Sequence, residues 1–293
     1  MQKWVSSATT PFAQQTKEGA NSMRYQSSSA ISYFFRNFWK YIYIVLPVAV
    51  FMAIFANFSN ETEFLQDWLR GNLTEDNYLS KMMNGMSLLC QADVWWYGAI
   101  SFVLLAITFS LLVVKVSRHM RVGGFVLFPL KSAMKVMPSM LLFCACFAVA
   151  LQLLQFATFG ILWALGKFLS MDVVIIIGLV LLFGDIILTV YGWMLMLLCF
   201  PLSYSESYPF NVALSYSIRE MSKHTKLCIG HAVAYALVHA LVVTLDWVVP
   251  VISDVVHGLF FVFVIYYVPC MAFTIHHKTI GSERKDISRV LIG

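Results

Sequence analysis

Charge is what this sequence has least of. Asp, Glu, Lys and Arg make up 12% of its 293 residues, where an ordinary soluble domain carries about 25%. With 60% hydrophobic residues and a mean hydropathy of +0.76, that shortage excludes a water-soluble fold, and membrane rules apply instead. Cysteine is also sparse. The six, at 90, 144, 146, 199, 228 and 270, have no framework spacing, so no disulfide pattern follows. On a helix Cys144 and Cys146 point about 200° apart and do not form a chelating pair. Enzyme signatures are missing too, with no HExxH, no Walker loop and no Gly-x-Ser-x-Gly, so the chain reads as non-catalytic, without cofactor or metal. His276-His277 reads as an interfacial pair.

What is present is uncharged length. A hydrocarbon core of about 30 Å takes about 18 residues or more of helix, and six stretches qualify, at about 41–58, 94–114, 138–163, 174–200, 227–245 and 255–275. The third lies in a 31-residue uncharged run, Val136 to Gly166, which predicts tilt or an interfacial end. Pro201 and Pro250 stand just outside spans, where helices should stop. Residues 1–29 are polar and are expected to be mobile, and the first apolar run starts too late for a cleaved secretory signal. A basic tail, 276–293, closes the chain.

Seventeen of the 20 Lys and Arg residues fall on one side of this topology, leaving Arg70, Lys81 and Lys167 on the other with nine acids. The positive-inside rule therefore predicts that both termini are cytoplasmic. A strongly basic cytoplasmic side suits anionic lipid headgroups and gives no support to nucleic-acid binding. The external loop Ser59 to Asp93 has helical spacing at Phe64, Trp68 and Leu69, as a cap on the bundle would. Asn57, Asn60 and Asn72 fit the N-glycosylation pattern, which carries meaning only in a eukaryote. The external Asp246–Asp254 segment fits either a re-entrant dip or an amphipathic turn.

A repeat precedes the spans. Ala30-Ile31-Ser32-Tyr33-Phe34-Phe35-Arg36-Asn37-Phe38-Trp39-Lys40 and Ala213-Leu214-Ser215-Tyr216-Ser217-Ile218-Arg219-Glu220-Met221-Ser222-Lys223 share Ala-aliphatic-Ser-Tyr-x-x-Arg-x-x-x-Lys. A weaker copy runs from Phe128 to Lys135 and carries Lys131 and Lys135. The expected architecture is therefore all-α and polytopic: six transmembrane helices as three hairpins, each preceded by a cytoplasmic interfacial amphipathic segment. Arg36, Lys40, Lys131, Lys135, Arg219 and Lys223 would contact headgroups or a partner, while neighbouring apolar side chains enter the acyl boundary. The competing reading is chance likeness between juxtamembrane stretches, where basic and aromatic residues are common anyway.

Glu206 followed by Ala213-Leu214-x-x-Ser217 resembles the bacterial YciC-like integral membrane proteins and the related membrane domain fused to some glycerophosphodiester phosphodiesterases. That pattern usually continues with Trp, where this chain has Ile218. The resemblance implies a six-helix protein of the bacterial inner membrane and carries over no catalytic residues.

One carboxylate stands inside a span. Asp185 lies 13 residues past Asp172, about 20 Å up the helix, and a central Asp costs about 2.5 to 3.5 kcal/mol on insertion scales. On the fifth span His231, Tyr235 and His239 recur every four residues, with Tyr235 and His239 matching Asp185 in depth. Two readings fit this polar site: a proton- or cation-responsive centre, and a structural hydrogen bond between helices. Ala232, Ala236 and Ala240 form a small-residue packing stripe on the same span.

Two functions are compatible with these features. One is a lipid- or protein-binding platform, or partner subunit, using the basic cytoplasmic segments. The alternative is a permease-like transport subunit for a small solute or lipid, coupled to an ATPase partner and using the Asp/His site.

Overall fold

A computed structural model describes residues 11–55, 59–86, 95–124, 129–249, 252–280, 284 and 286. Among these there are α-helices and short 3-10 turns, with no strand. Six of the helices contain stretches long and apolar enough to cross a membrane, and the protein is an integral membrane protein. The spanning helices are α1 (Pro11–Phe55), α4 (Trp95–Val122), α5 (Leu130–Leu165), α6 (Met171–Leu195), α9 (Thr225–Val248) and α10 (Ser253–Thr279). Between them lie α2 (Ser59–Leu69), α3 (Tyr78–Met86), α7 (Cys199–Ser205) and α8 (Phe210–Met221), with the 3-10 turn Ser222–His224 leading into α9.

The polar segment expected to be mobile is helical from Pro11 onward. Proline suits the first helical turn, and the residues after it include good helix formers such as Ala, Gln, Lys and Glu. The first repeat copy is thus continuous with its span rather than a separate elbow. The second copy, from Leu130, is likewise the start of α5, and Phe128 lies outside the described residues. Only the copy before the fifth span forms its own helix, α8, set off from α9 by the 3-10 turn.

Helix packing departs from three sequential hairpins. The most extensive interfaces pair α1 with α10, α4 with α5, and α6 with α9, whereas α9 and α10 touch only sparingly. The reason lies in the buried faces. On α1, Ala30, Tyr33, Phe34, Asn37, Tyr41, Val45, Val48, Ala49 and Ala53 are all buried, a stripe at helical spacing. Part of it meets α10 through Phe34 and Tyr41 against Tyr266, with ring centroids 4.8 Å and 5.1 Å apart. Lipid tails are as apolar as these side chains, so it is close packing and not water exclusion that selects these partners.

Helices α4 and α10 form the centre. Leu112, Val113, Val116 and Met120 on α4, and Cys270, Ala272 and Phe273 on α10, have no exposed surface. Helices α5 and α6 are peripheral, with Val149, Leu153, Val180 and Leu188 all exposed, as lipid-facing positions should be. A second apolar cluster of Phe64, Leu73, Tyr78, Met82, Leu162, Val174 and Ile175 seats α2 and α3 against α5 and α6.

The α6–α7 break shows how a motif acts locally. Ser217 Oγ on α8 donates to Leu195 O at 2.8 Å and accepts from Leu198 N–H at 3.0 Å. It pairs backbone groups left over where α6 stops. Ala213 and Ser217 are fully buried, which sets α8 close against this corner.

Candidate functional site

Asp185 is buried on α6 and accepts a hydrogen bond from Thr158 Oγ1 of α5 at 2.7 Å. The sequence reading paired it with the fifth span. In the structure Asp185 and the α9 stripe do not share a hydrogen bond. His231 Nδ1 lies 2.9 Å from Leu227 O, which can only accept, so Nδ1 carries a proton, and Nε2 is hydrogen-bonded with Tyr267 OH at 3.0 Å. Tyr235 stacks near His239, with centroids 6.3 Å apart, and packs on Phe260 at 5.4 Å. His239 Nε2 lies 2.9 Å from Glu61 Oε2 on α2. The predicted tetrad is therefore divided among three places: an α5–α6 pair, an α9–α10 pair and an α2–α9 pair. Matching residues by depth does not choose among neighbouring helices.

The small-residue stripe is also divided. Ala232 and Ala236 are fully buried, and α9 packs most extensively against α6. Ala240 is exposed, and His239 takes the buried position at that turn.

The acidic end of the bundle holds a polar cluster that sequence reasoning missed. Besides Glu61–His239, Thr62 Oγ1 donates to Asp246 Oδ2 at 2.6 Å, and His257 on α10 is fully buried. The available signal was the Glu61-Thr62 pair opening the external loop. Asp67 and Lys81 form an ion pair that ties α2 to α3. Among the described residues no group of three or more His, Cys, Asp and Glu side chains is disposed to hold a metal ion.

At the basic end Asp286 is buried between two guanidinium groups. Arg36 Nη2 lies 2.7 Å from Oδ2, and Arg284 donates to both carboxylate oxygens at 3.1 Å and 2.9 Å. Arg284 also donates to Ser29 Oγ at 2.8 Å. Nearby, Tyr33 OH bonds Tyr41 OH at 2.9 Å and His119 Nδ1 at 2.8 Å. This network joins the C-terminal tail to α1. It also engages Arg36, a residue expected to be free for headgroups. Lys223 pairs with Glu220 at 2.6 Å while staying largely exposed, and Lys40 donates to Asn37 Oδ1 at 3.0 Å.

The exposed basic residues form a rim. Lys40, Lys131, Lys135 and Arg219 are exposed, and large apolar side chains beside them are exposed as well. Trp39 is 82% exposed, Phe35 66%, Met134 70% and Leu130 60%. Ile218, next to Arg219, is exposed too. Basic tips alternating with bare aromatic and aliphatic surface are the chemistry of a headgroup–acyl boundary.

No family model, curated protein or solved structure matches this chain.

Proposed function

We propose that the protein is a non-catalytic membrane platform that gathers anionic lipid headgroups, and through them a protein partner, on a basic face turned toward the cytoplasm. The supporting observation is the rim itself. Three segments, the middle of α1, the start of α5 and the end of α8, each set basic residues beside exposed apolar ones. Each Lys or Arg near an anionic surface contributes about 1 kcal/mol of attraction, so a rim of several is strongly selective for anionic over zwitterionic lipid. The bacterial inner membrane, cytoplasmic termini and the YciC-like resemblance belong to this same proposal, as does the parsing into three repeated units.

The test is purification in native-lipid nanodiscs followed by mass spectrometry of what stays bound. Retention of a specific anionic lipid, or of a stoichiometric protein, that is lost when Lys131, Lys135, Arg219 and Lys223 are all changed to Gln supports the platform. Unchanged retention in that variant overturns it. The transport alternative draws support from one observation, the carboxylate of Asp185 inside the membrane.

A further inference from the structure

The interface between α5 and α6 carries a ladder of polar groups at membrane depth. The two helices run antiparallel, and the Thr158–Asp185 hydrogen bond sets their register. Three residues back along α5 and four residues on along α6 stand Gln155 and Thr189, at nearly one level; the next pair is Gln152 and Trp193. The ladder covers about 9 to 12 Å of the helix axes. Gln152 Oε1, Thr189 Oγ1 and Trp193 Nε1 are buried, with no hydrogen-bond partner among the described residues. Such groups are costly in a bilayer unless something else satisfies them.

Asp185 has the same problem in sharper form. Among the described residues no Lys, Arg or His forms an ion pair with it. Of the elements seated against α6, α2 and α3 carry Asp67 and Lys81, which pair with each other. Helix α5 presents only Gln152, Gln155 and Thr158 here, while on α9 His231, Tyr235 and His239 bond or stack elsewhere. The charged groups of α8, Arg219 and Glu220, lie at the basic end. The ladder is also closed at both ends. Toward the basic end Trp193 packs on Phe147 and Phe143, with centroids 4.4 Å and 5.4 Å away. Toward the acidic end stand Leu162, Val174, Ile175 and Met82.

We propose that Asp185, with Thr158 bonded to it and with Gln155 and Thr189 one turn along the same interface, binds a monovalent cation, H+ or Na+, within the membrane. One carboxylate carries one negative charge, so one monovalent cation neutralises it. A divalent ion would leave an excess charge in hydrocarbon and ordinarily draws on more than one carboxylate or many more oxygens. Hydroxyl and amide oxygens replace water around Na+. In the proton case an O–H bond forms on Asp185 from a hydronium ion, and the released water is the only other product. The site is independent of the basic rim, so the platform and the cation site stand or fall separately.

The experiment is infrared difference spectroscopy of the full chain in nanodiscs, stepping pH in Na+-free buffer and then stepping Na+ against choline at fixed pH. A protonated-carboxyl band that disappears as pH rises, and is missing from Asp185→Asn, identifies H+ as the ligand. Loss of that band on adding Na+, but not choline, identifies Na+ as well. In Thr189→Val and Gln155→Leu, which leave the carboxylate in place, the midpoint moves by about tenfold or more in cation activity, one pH unit in the proton arm. A band that titrates with neither cation, that persists in Asp185→Asn, or whose midpoint is unmoved in both ladder variants overturns the proposal.

Discussion

Glu61 and His239 are 178 residues apart in the chain and 2.9 Å apart in space, and the contact ties the first external helix to the fifth span. Thr62 and Asp246 repeat the connection one residue further along α2. Together they hold α2 across the acidic end of α9, and both carboxylates are largely sequestered from solvent.

Removing that tie should free α2. A Glu61→Gln/His239→Phe double-mutant cycle is expected to give a coupling of about 1 kcal/mol, within the range for directly bonded residues. Hydrogen exchange of the α2 amides should accelerate in either single variant. Equal exchange rates in wild type and Glu61→Gln would show that Thr62 and the apolar seat under Phe64 hold α2 unaided.

Ser217→Ala should destabilise the protein by about 1 to 3 kcal/mol, because Leu198 N–H and Leu195 O lose their partner in a buried corner. Thermal unfolding in nanodiscs reads this directly. Ser215→Ala is the control: this serine lies two residues away and is exposed, and it should be neutral.

At the basic end the order of effects is the prediction. Asp286→Ala strands two guanidinium groups, while Arg36→Ala leaves the two-pronged Arg284–Asp286 pair intact. Arg36 is partly exposed, and solvent screening reduces its share. Unfolding temperature should therefore fall more for Asp286→Ala than for Arg36→Ala, and the reverse order would mean that Arg284 contributes little.

Glycines along α6 separate close approach from mere flexibility. A Cβ on Gly178 would meet Met82 Cε at 2.5 Å and Leu162 Cδ1 at 3.3 Å, whereas Gly184 and Gly192 have nothing within 4 Å. Gly178→Ala should cost about 1 kcal/mol, since the flexible end of Met82 can move, and Gly178→Leu at least the upper part of the roughly 1 to 3 kcal/mol of overpacking. Gly184→Ala should be neutral or slightly stabilising, because alanine is the better helix former. Detergent-resistant thermal stability of the three variants ranks them.

Much of the fold was legible because the bilayer imposes length. A span must avoid charge for about 18 residues, and the six runs from Tyr41 to Ile275 do so in a way no soluble element needs. In the first repeat copy the apolar side chains read as entering the acyl boundary, whereas Phe34 packs on Tyr266 of α10. Asp185 stood out because a lone carboxylate in a hydropathy trace is conspicuous. Its partner did not. Thr158 is polar enough to donate a hydrogen bond and too mild to mark itself in an apolar run, and Gln152 and Gln155 passed unremarked on the same helix.

The sequence by itself determined which segments enter the membrane, because transfer of a helix into hydrocarbon depends on its own side chains summed along its length. It also determined where basic residues gather. Tertiary structure alone decided that α1 lies beside α10, that Asp185 meets Thr158 instead of the α9 stripe, that His239 meets Glu61, and that Arg36 is engaged by Asp286. Inside a bilayer all these helices are apolar alike, so the choice among neighbours rests on close packing and on which few polar groups come within about 3 Å of one another. Those distances exist only once the whole bundle has formed.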